Sequence, residues 1–159
     1  FRPDGTVTAG NACPLNDGAA ALVVMSDTKA KELGLTPLAR VVATAATGLS
    51  PEIMGLGPIE AVRKVLRVSG MSLSDIDLFE INEAFAVQVL GSANELGIDH
   101  DKLNVSGGAI ALGHPFGMTG ARITTTLLNN LQTHDKTFGI ETMCVGGGQG
   151  MAMVLERLS

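Results

Sequence analysis

The sequence contains no tryptophan and no tyrosine, and its five phenylalanines make aromatics only 3% of a chain that is 45% hydrophobic. A core without large rings has to be built from Ala, Val, Ile, Leu and Met. Cysteine is nearly as scarce. Cys13 and Cys144 are too few for a disulfide framework, which favours a reducing compartment and a cytoplasmic location. Positive charge is also short: 11 Lys and Arg against 16 Asp and Glu leave a net charge of −5 with no basic cluster, which argues against nucleic acid as a partner. The longest apolar run, Ala19 to Met25, falls far short of a membrane span, and no signal peptide is visible. The chain opens on Phe1-Arg2-Pro3-Asp4-Gly5, which reads as the middle of a loop, so a longer parent protein is expected. Its 159 residues suit one domain with a real core, or a domain plus a fragment.

Glycine, by contrast, is plentiful: twenty residues with no collagen-like period, pointing to turns and close backbone approaches. Residues 1–16 read as irregular, with a short extended piece at Thr6-Val7-Thr8. The run Leu22-Val23-Val24-Met25 reads as a buried strand, followed by a short helix capped by Asp27 or Thr28 and stopped at Gly34. Thr36-Pro37 marks a domain boundary. Beyond it, strands are expected at 38–44, 76–81, 140–145 and 151–155, with another short one beginning at 103–105. Helices are expected at 58–68, 83–96 and 117–131. Ile59, Val62, Val65 and Leu66 would form the apolar face of the first of these helices, and Ile123, Leu127, Leu128 and Leu131 that of the last. Strands alternating with amphipathic helices predict an α/β layered domain.

Two glycine-rich stretches hold the reactive side chains. His114 lies in Gly113-His114-Pro115-Phe116-Gly117, just before an expected helix, where α/β proteins place ligands. A hydrogen-bonded structural His is the bland alternative; the flanking glycines, which leave room for a substrate, favour function. Cys144 ends a strand and runs into Gly146-Gly147-Gly148, whose free amides can hold an oxyanion or assist a thiolate. Asn82 stands where a strand meets a helix and reads most simply as its N-cap, with Glu83 in the first turn. Glu80 reads as an exposed strand residue, Cys13 as a wall residue rather than a nucleophile, and His100 and His134 as solvent-exposed. Gly146 to Gly150 precedes neither Lys-Ser nor Lys-Thr and leads into a strand, so neither a P-loop nor a dinucleotide fingerprint fits.

Four blocks together resemble the C-terminal part of a thiolase, an acyl-CoA C-acyltransferase. They are Gly10-Asn11-Ala12-Cys13-Pro14-Leu15-Asn16-Asp17-Gly18-Ala19, Asn82-Glu83-Ala84-Phe85-Ala86, Gly107-Gly108-Ala109-Ile110-Ala111-Leu112-Gly113-His114-Pro115 and Cys144-Val145-Gly146-Gly147-Gly148. The resemblance covers essentially the whole chain. It implies a thiolase-fold domain with a mixed central sheet and helices on its faces. Residues 1–36 would close the loop and N-terminal domains, and residues 37–159 would form the C-terminal domain. It implies thiolytic cleavage of 3-oxoacyl-CoA, or the reverse Claisen condensation. His114 would activate a nucleophilic Cys and help form an oxyanion hole, Cys144 would be the acid/base thiol, Asn82 would hold a water in that hole, and the Gly146 amide would serve a second hole. Cys13, Phe85, Gly113 and Pro115 would line the substrate.

The same resemblance implies that the nucleophilic Cys lies in an N-terminal half outside this chain. Coenzyme A would be a substrate, with no metal and no resident cofactor, and the intact protein a homodimer or homotetramer. The variants Pro115-Phe116-Gly117-Met118-Thr119-Gly120 and Thr142-Met143-Cys144 look closer to degradative β-oxidation enzymes, including those for steroid side chains, than to acetoacetyl-CoA biosynthetic ones. A ketoacyl-synthase-like condensing enzyme is the competing enzyme reading, which Cys144 argues against. The chain alone would be an inactive folded remnant.

Overall fold

The structure, a computed structural model, describes residues 1–159. Its centre is a four-stranded mixed sheet in the order β1-β4-β3-β2. β1 (Ala39–Gly48) and β4 (Gln149–Arg157) are antiparallel, β4 and β3 (Phe138–Val145) form an antiparallel hairpin, and β2 (Leu78–Ile81) lies parallel to β3. One face carries α2 (Gly57–Ser69) and α3 (Ala86–Leu96); the other carries α5 (Thr119–Thr133). The layered α/β expectation holds. No helix is long and apolar enough to cross a membrane.

The strand pleat sorts the core into two sets. Phe79, Ile81, Ile140, Ala152 and Val154 meet Val62 and Val65 of α2 and Val89 and Ala93 of α3. Leu78 and Leu155, on the opposite face, meet Leu127 and Leu131 of α5. Val62, Val65, Leu127, Leu131 and Ile140 are fully or almost fully buried, each contributing about 1.5–3 kcal/mol by leaving water. The apolar faces expected for α2 and α5 are the ones buried. α2 begins with Pro58 in its first turn and ends on Gly70 at φ +71°; α3 ends on Gly97 at φ +74°.

Two glycine contacts set how α2 meets the hairpin. A Cβ on Gly150 would lie 2.0 Å from the Gly57 carbonyl oxygen, and one on Gly57 would lie 2.5 Å from that of Gln149. Side chains here would push α2 off the sheet.

Several expectations fail, each for a physical reason. The run Leu22–Met25 forms no strand, and Val23 and Val24 are 86% and 79% exposed. Hydrophobicity says that a run seeks cover, not which surface supplies it. Ser26, rather than Asp27 or Thr28, caps α1 (Asp27–Glu32), its side chain accepting from the Lys29 amide at 3.2 Å. The piece at 103–105 reduces to a single bridge between Leu103 and Phe79, because Asn104 turns to φ +45° and leaves extended conformation. Its side-chain amide takes over as β2's partner, accepting from the Ile81 amide at 2.8 Å and donating to the Ile81 carbonyl at 2.9 Å.

Candidate active site

The candidate residues gather where the parallel strands β2 and β3 end, the usual place for a ligand beside such a pair. Asn82 follows β2, Cys144 is the penultimate residue of β3, and His114 lies in the loop before α5. An irregular segment ties them together. Ala12 bridges Phe85, the Cys13 amide donates to the Ala84 carbonyl at 3.1 Å, and the Ala86 amide donates to Asn11 at 2.9 Å. The same segment reaches the histidine loop, where the His114 amide donates to the Pro14 carbonyl at 3.0 Å and Asn16 Nδ2 to the Leu112 carbonyl at 2.9 Å. Gly113 is buried at φ +93°, and a Cβ there would come within 2.5 Å of the Asn16 Cβ. Of the expected substrate-lining residues, Cys13 and Pro115 are half-buried, Gly113 is buried and Phe85 is exposed.

The hydrogen bonds around His114 favour one tautomer. Its Nδ1 lies 2.6 Å from Thr119 Oγ1, and that hydroxyl donates its single proton to the Pro115 carbonyl at 3.0 Å. Thr119 therefore accepts from His114, so the neutral imidazole carries its proton on Nδ1 and keeps the Nε2 lone pair free. Burial is the main cause lowering the His114 pKa from its ordinary value, with the Arg122 charge adding to it. Both favour the neutral ring that a base requires. Phe116 packs edge-on against the imidazole, ring centres 4.9 Å apart.

Cys144 is 6% exposed, and burial pushes its thiol up despite a backbone hydrogen bond acting the other way; a smaller contribution from Cys13 places the two free thiols within electrostatic reach. The expectation that the neighbouring amides would favour a thiolate is thus outweighed by desolvation. Those amides remain available: Gly146 and Gly147 are exposed in the turn after β3, and neither N–H finds an acceptor within the chain. The glycines suit this turn, since Gly147 and Gly148 sit at φ +80° and +85°.

Asn82 is not an N-cap. α3 starts at Ala86 with Phe85 in the cap position, because the Phe85–Ala12 bridge keeps this stretch extended. Asn82 is fully buried, its amide donating to the Thr142 carbonyl at 3.0 Å, and its side-chain Nδ2 has no partner. Glu83 lies outside any helix. Its carboxylate instead caps α4 (Ala109–Leu112), accepting from the Ile110 amide at 3.0 Å and from Asn104 Nδ2 at 3.1 Å. Gly108 makes that possible, since a Cβ there would sit 2.7 Å from Glu83 Cδ.

Glu80, expected to be exposed, is 1% exposed and pairs with Arg122 Nη1 at 2.8 Å. Burial pushes it up to about 7, against the pull of Arg122. Its register partner on β3, Glu141, is pushed up to about 8, again chiefly by burial. Thr119 and Arg122 are functional candidates that sequence reading passed over. Their only sequence signal is a spacing of three on the first turn of a helix that follows a candidate catalytic histidine. His100 and His134 are exposed, as expected, and lie away from this cluster.

Residues 35–157 match the family model for the thiolase C-terminal domain, and residues 1–28 match that for the thiolase N-terminal domain. The chain is 57% identical over 159 residues to an acetyl-CoA acetyltransferase of Escherichia coli, covering 100% of this chain and 40% of that protein. It is 53% identical to a 3-ketoacyl-CoA thiolase of Cronobacter sakazakii, over 99% of this chain and 42% of the relative. Among solved structures, the acetyl-CoA acetyltransferase of Bacillus anthracis superposes with a TM-score of 0.97 at 54% identity, over 99% of this chain and 40% of that one. Human mitochondrial 3-ketoacyl-CoA thiolase in complex with CoA gives a TM-score of 0.93 at 44% identity, over 100% and 40% respectively. The chain thus spans about two-fifths of the length of these relatives. With the family models covering most of its residues and the fold shared at high identity, the chain belongs to the thiolase family.

Proposed function

We propose that this chain contributes the acid/base half of a thiolase site, acting with a nucleophilic Cys from a preceding N-terminal region. The whole protein would transfer acyl groups between CoA thioesters, by thiolytic cleavage of 3-oxoacyl-CoA or the reverse condensation. Residues 1–36 would complete the loop and N-terminal domains, and residues 37–159 the C-terminal domain. The observation that carries the reading is that His114, its Nδ1 on Thr119, the buried Cys144 thiol beside free glycine amides and the unpartnered Asn82 amide gather where β2 and β3 end.

The steps follow from these groups. His114 Nε2 takes the proton of the nucleophilic thiol, which attacks the first thioester; the departing CoA thiolate recovers that proton. In synthesis, Cys144 as thiolate then removes an α-proton from the bound acetyl thioester. Burial that raises the thiol's pKa makes its thiolate a stronger base, which suits so weak a carbon acid. The enolate attacks the acyl-enzyme carbonyl, and expulsion of the nucleophilic thiolate completes the carbon–carbon bond; the α-proton, now on Cys144, then passes to that thiolate and restores both groups. The Gly146 amide would donate to one developing oxyanion; a water held by Asn82, with His114 Nε2 while it carries the nucleophile's proton, would serve the other. Cys13, Phe85, Gly113 and Pro115 would face the acyl-pantetheine arm. Coenzyme A is substrate and product, and a reducing, cytoplasmic setting suits chemistry between free thiols.

A protein containing both thiolase domains tests this. Cys144→Ala should abolish condensation yet still allow acyl transfer to the nucleophilic Cys; undiminished condensation would refute the assignment. The same protein assayed on acetoacetyl-CoA, a long-chain 3-oxoacyl-CoA and a steroid side-chain thioester would rank β-oxidation and steroid degradation against the acetyl-CoA reaction.

A further inference from the structure

Resting on that reading of Asn82, we infer that Arg122 is a positioning residue for the site, turning the Asn82 side-chain nitrogen away from itself and holding it as a donor. A guanidinium has five N–H donors and no acceptor, so any amide side chain beside it must present oxygen. Arg122 Nη2 lies 3.4 Å from Asn82 Oδ1. That contact is long, but the opposite rotamer would set an NH2 group against a cation in a buried place. Asn82 is 0% exposed, so bulk water cannot relieve the mismatch. Its orientation therefore follows from Arg122, and Nδ2 is left without a partner on the far side.

Arg122 is itself held. Its side chain is 11% exposed on the first turn of α5, and its Nη1 donates to Glu80 Oε1 at 2.8 Å. Glu80 is on β2, two residues before Asn82, so both point to the face that α5 covers. The guanidinium fork thus spans two successive same-face positions of one strand. A lysine could keep the ion pair, but it lacks the rigid two-nitrogen fork that meets the two oxygens separately here. Thr119, three residues earlier on the same helix, orients His114. One helical turn thereby fixes both the lone pair of the base and the Asn82 N–H that serves the oxyanion hole.

A double-mutant cycle in a protein containing both thiolase domains tests this. Asn82→Ala should lower kcat by about a hundredfold, as loss of an oxyanion donor does. Arg122→Lys should lower kcat about tenfold with KM within about twofold, because the donor is misaimed while the binding surface stands. In the Asn82→Ala background, Arg122→Lys should change kcat less than about twofold, since nothing remains to position. An equal loss in both backgrounds would overturn the inference while leaving Asn82's role intact. A harmless Asn82→Ala would instead overturn the reading of the site. If Arg122→Lys does not fold, the pair Arg122→Gln, Glu80→Gln replaces it in the cycle, since it removes both partners of the ion pair together.

Discussion

Replacing Thr119 by Val isolates the device that sets the His114 tautomer. Valine matches threonine in shape, so at a fully buried position it opens no cavity; it deletes only Oγ1. Two hydrogen bonds go with it, the 2.6 Å contact to His114 Nδ1 and the 3.0 Å donation to the Pro115 carbonyl. That carbonyl keeps the Met118 amide at 2.9 Å and the Thr119 amide at 3.1 Å, so it is not orphaned. The imidazole is half-exposed and can turn to water. The stability loss should therefore be that of about one net hydrogen bond, roughly 1 kcal/mol, or about 2–4 °C in Tm for a domain of this size. The chemical effect should be larger, because a free ring can place its proton on Nε2 and cease to be a base there. A long-range 1H–15N correlation spectrum reads the tautomer directly, and with three histidines in the chain the assignment is simple. The native chain should show His114 protonated on Nδ1, and Thr119→Val should show a mixture. A native His114 protonated on Nε2, or an unchanged Nδ1 proton in the variant, would sink the argument.

Glu141→Gln should flatten the pH dependence of stability. The Glu141 carboxyl is raised to about 8 in the folded state, so the folded protein holds a proton that the unfolded chain has already released near pH 4.5. Its stabilising effect is full below that range and fades as pH climbs toward 8, by up to about 1.4 kcal/mol per pH unit. Urea melts at pH 6 and pH 8 should differ less for the variant than for the native chain; an equal or greater difference would contradict the assignment. Gly150→Ala should lower stability by more than about 3 kcal/mol, because its Cβ would sit 2.0 Å from the Gly57 carbonyl oxygen. Gly120→Ala, on an exposed turn of α5 with nothing within 4 Å, should stabilise by about 0.5–1 kcal/mol. Thermal melts of the two variants check both signs.

The long elements were legible because their signals are periodic. α2 announced itself by Ile59, Val62 and Val65 spaced for one face, with Pro58 and Gly70 at its ends, and α5 by Ile123, Leu127 and Leu131. The reactive pair was legible from its glycines, since His114 and Cys144 both lie beside residues whose missing side chains make room. What stayed hidden depends on partners distant in sequence. Asn82 looked like an N-cap because nothing local reveals that Arg122, forty positions on, meets its oxygen. Glu80 looked exposed because a charge in a short strand usually is; its burial depends on the same guanidinium. Glu83 caps a single turn, Ala109–Leu112, too short to leave a periodic trace. The exposed Val23 and Val24 show the converse, a strong local signal with no surface to answer it within the chain's own fold.

The close approach of Gly57 and Gly150 bears on how the proposed acid/base thiol can move. Cys144 is the register partner of Gly150, and the turn between them is held at a second point, where Gly148 accepts from the Leu49 amide at 2.9 Å. With backbone pressed to backbone at one place and hydrogen-bonded at another, the hairpin tip has no independent hinge. Any displacement of the thiol toward or away from a substrate must carry the start of α2 with it, so Cys144 behaves as part of a rigid body rather than as the tip of a mobile loop.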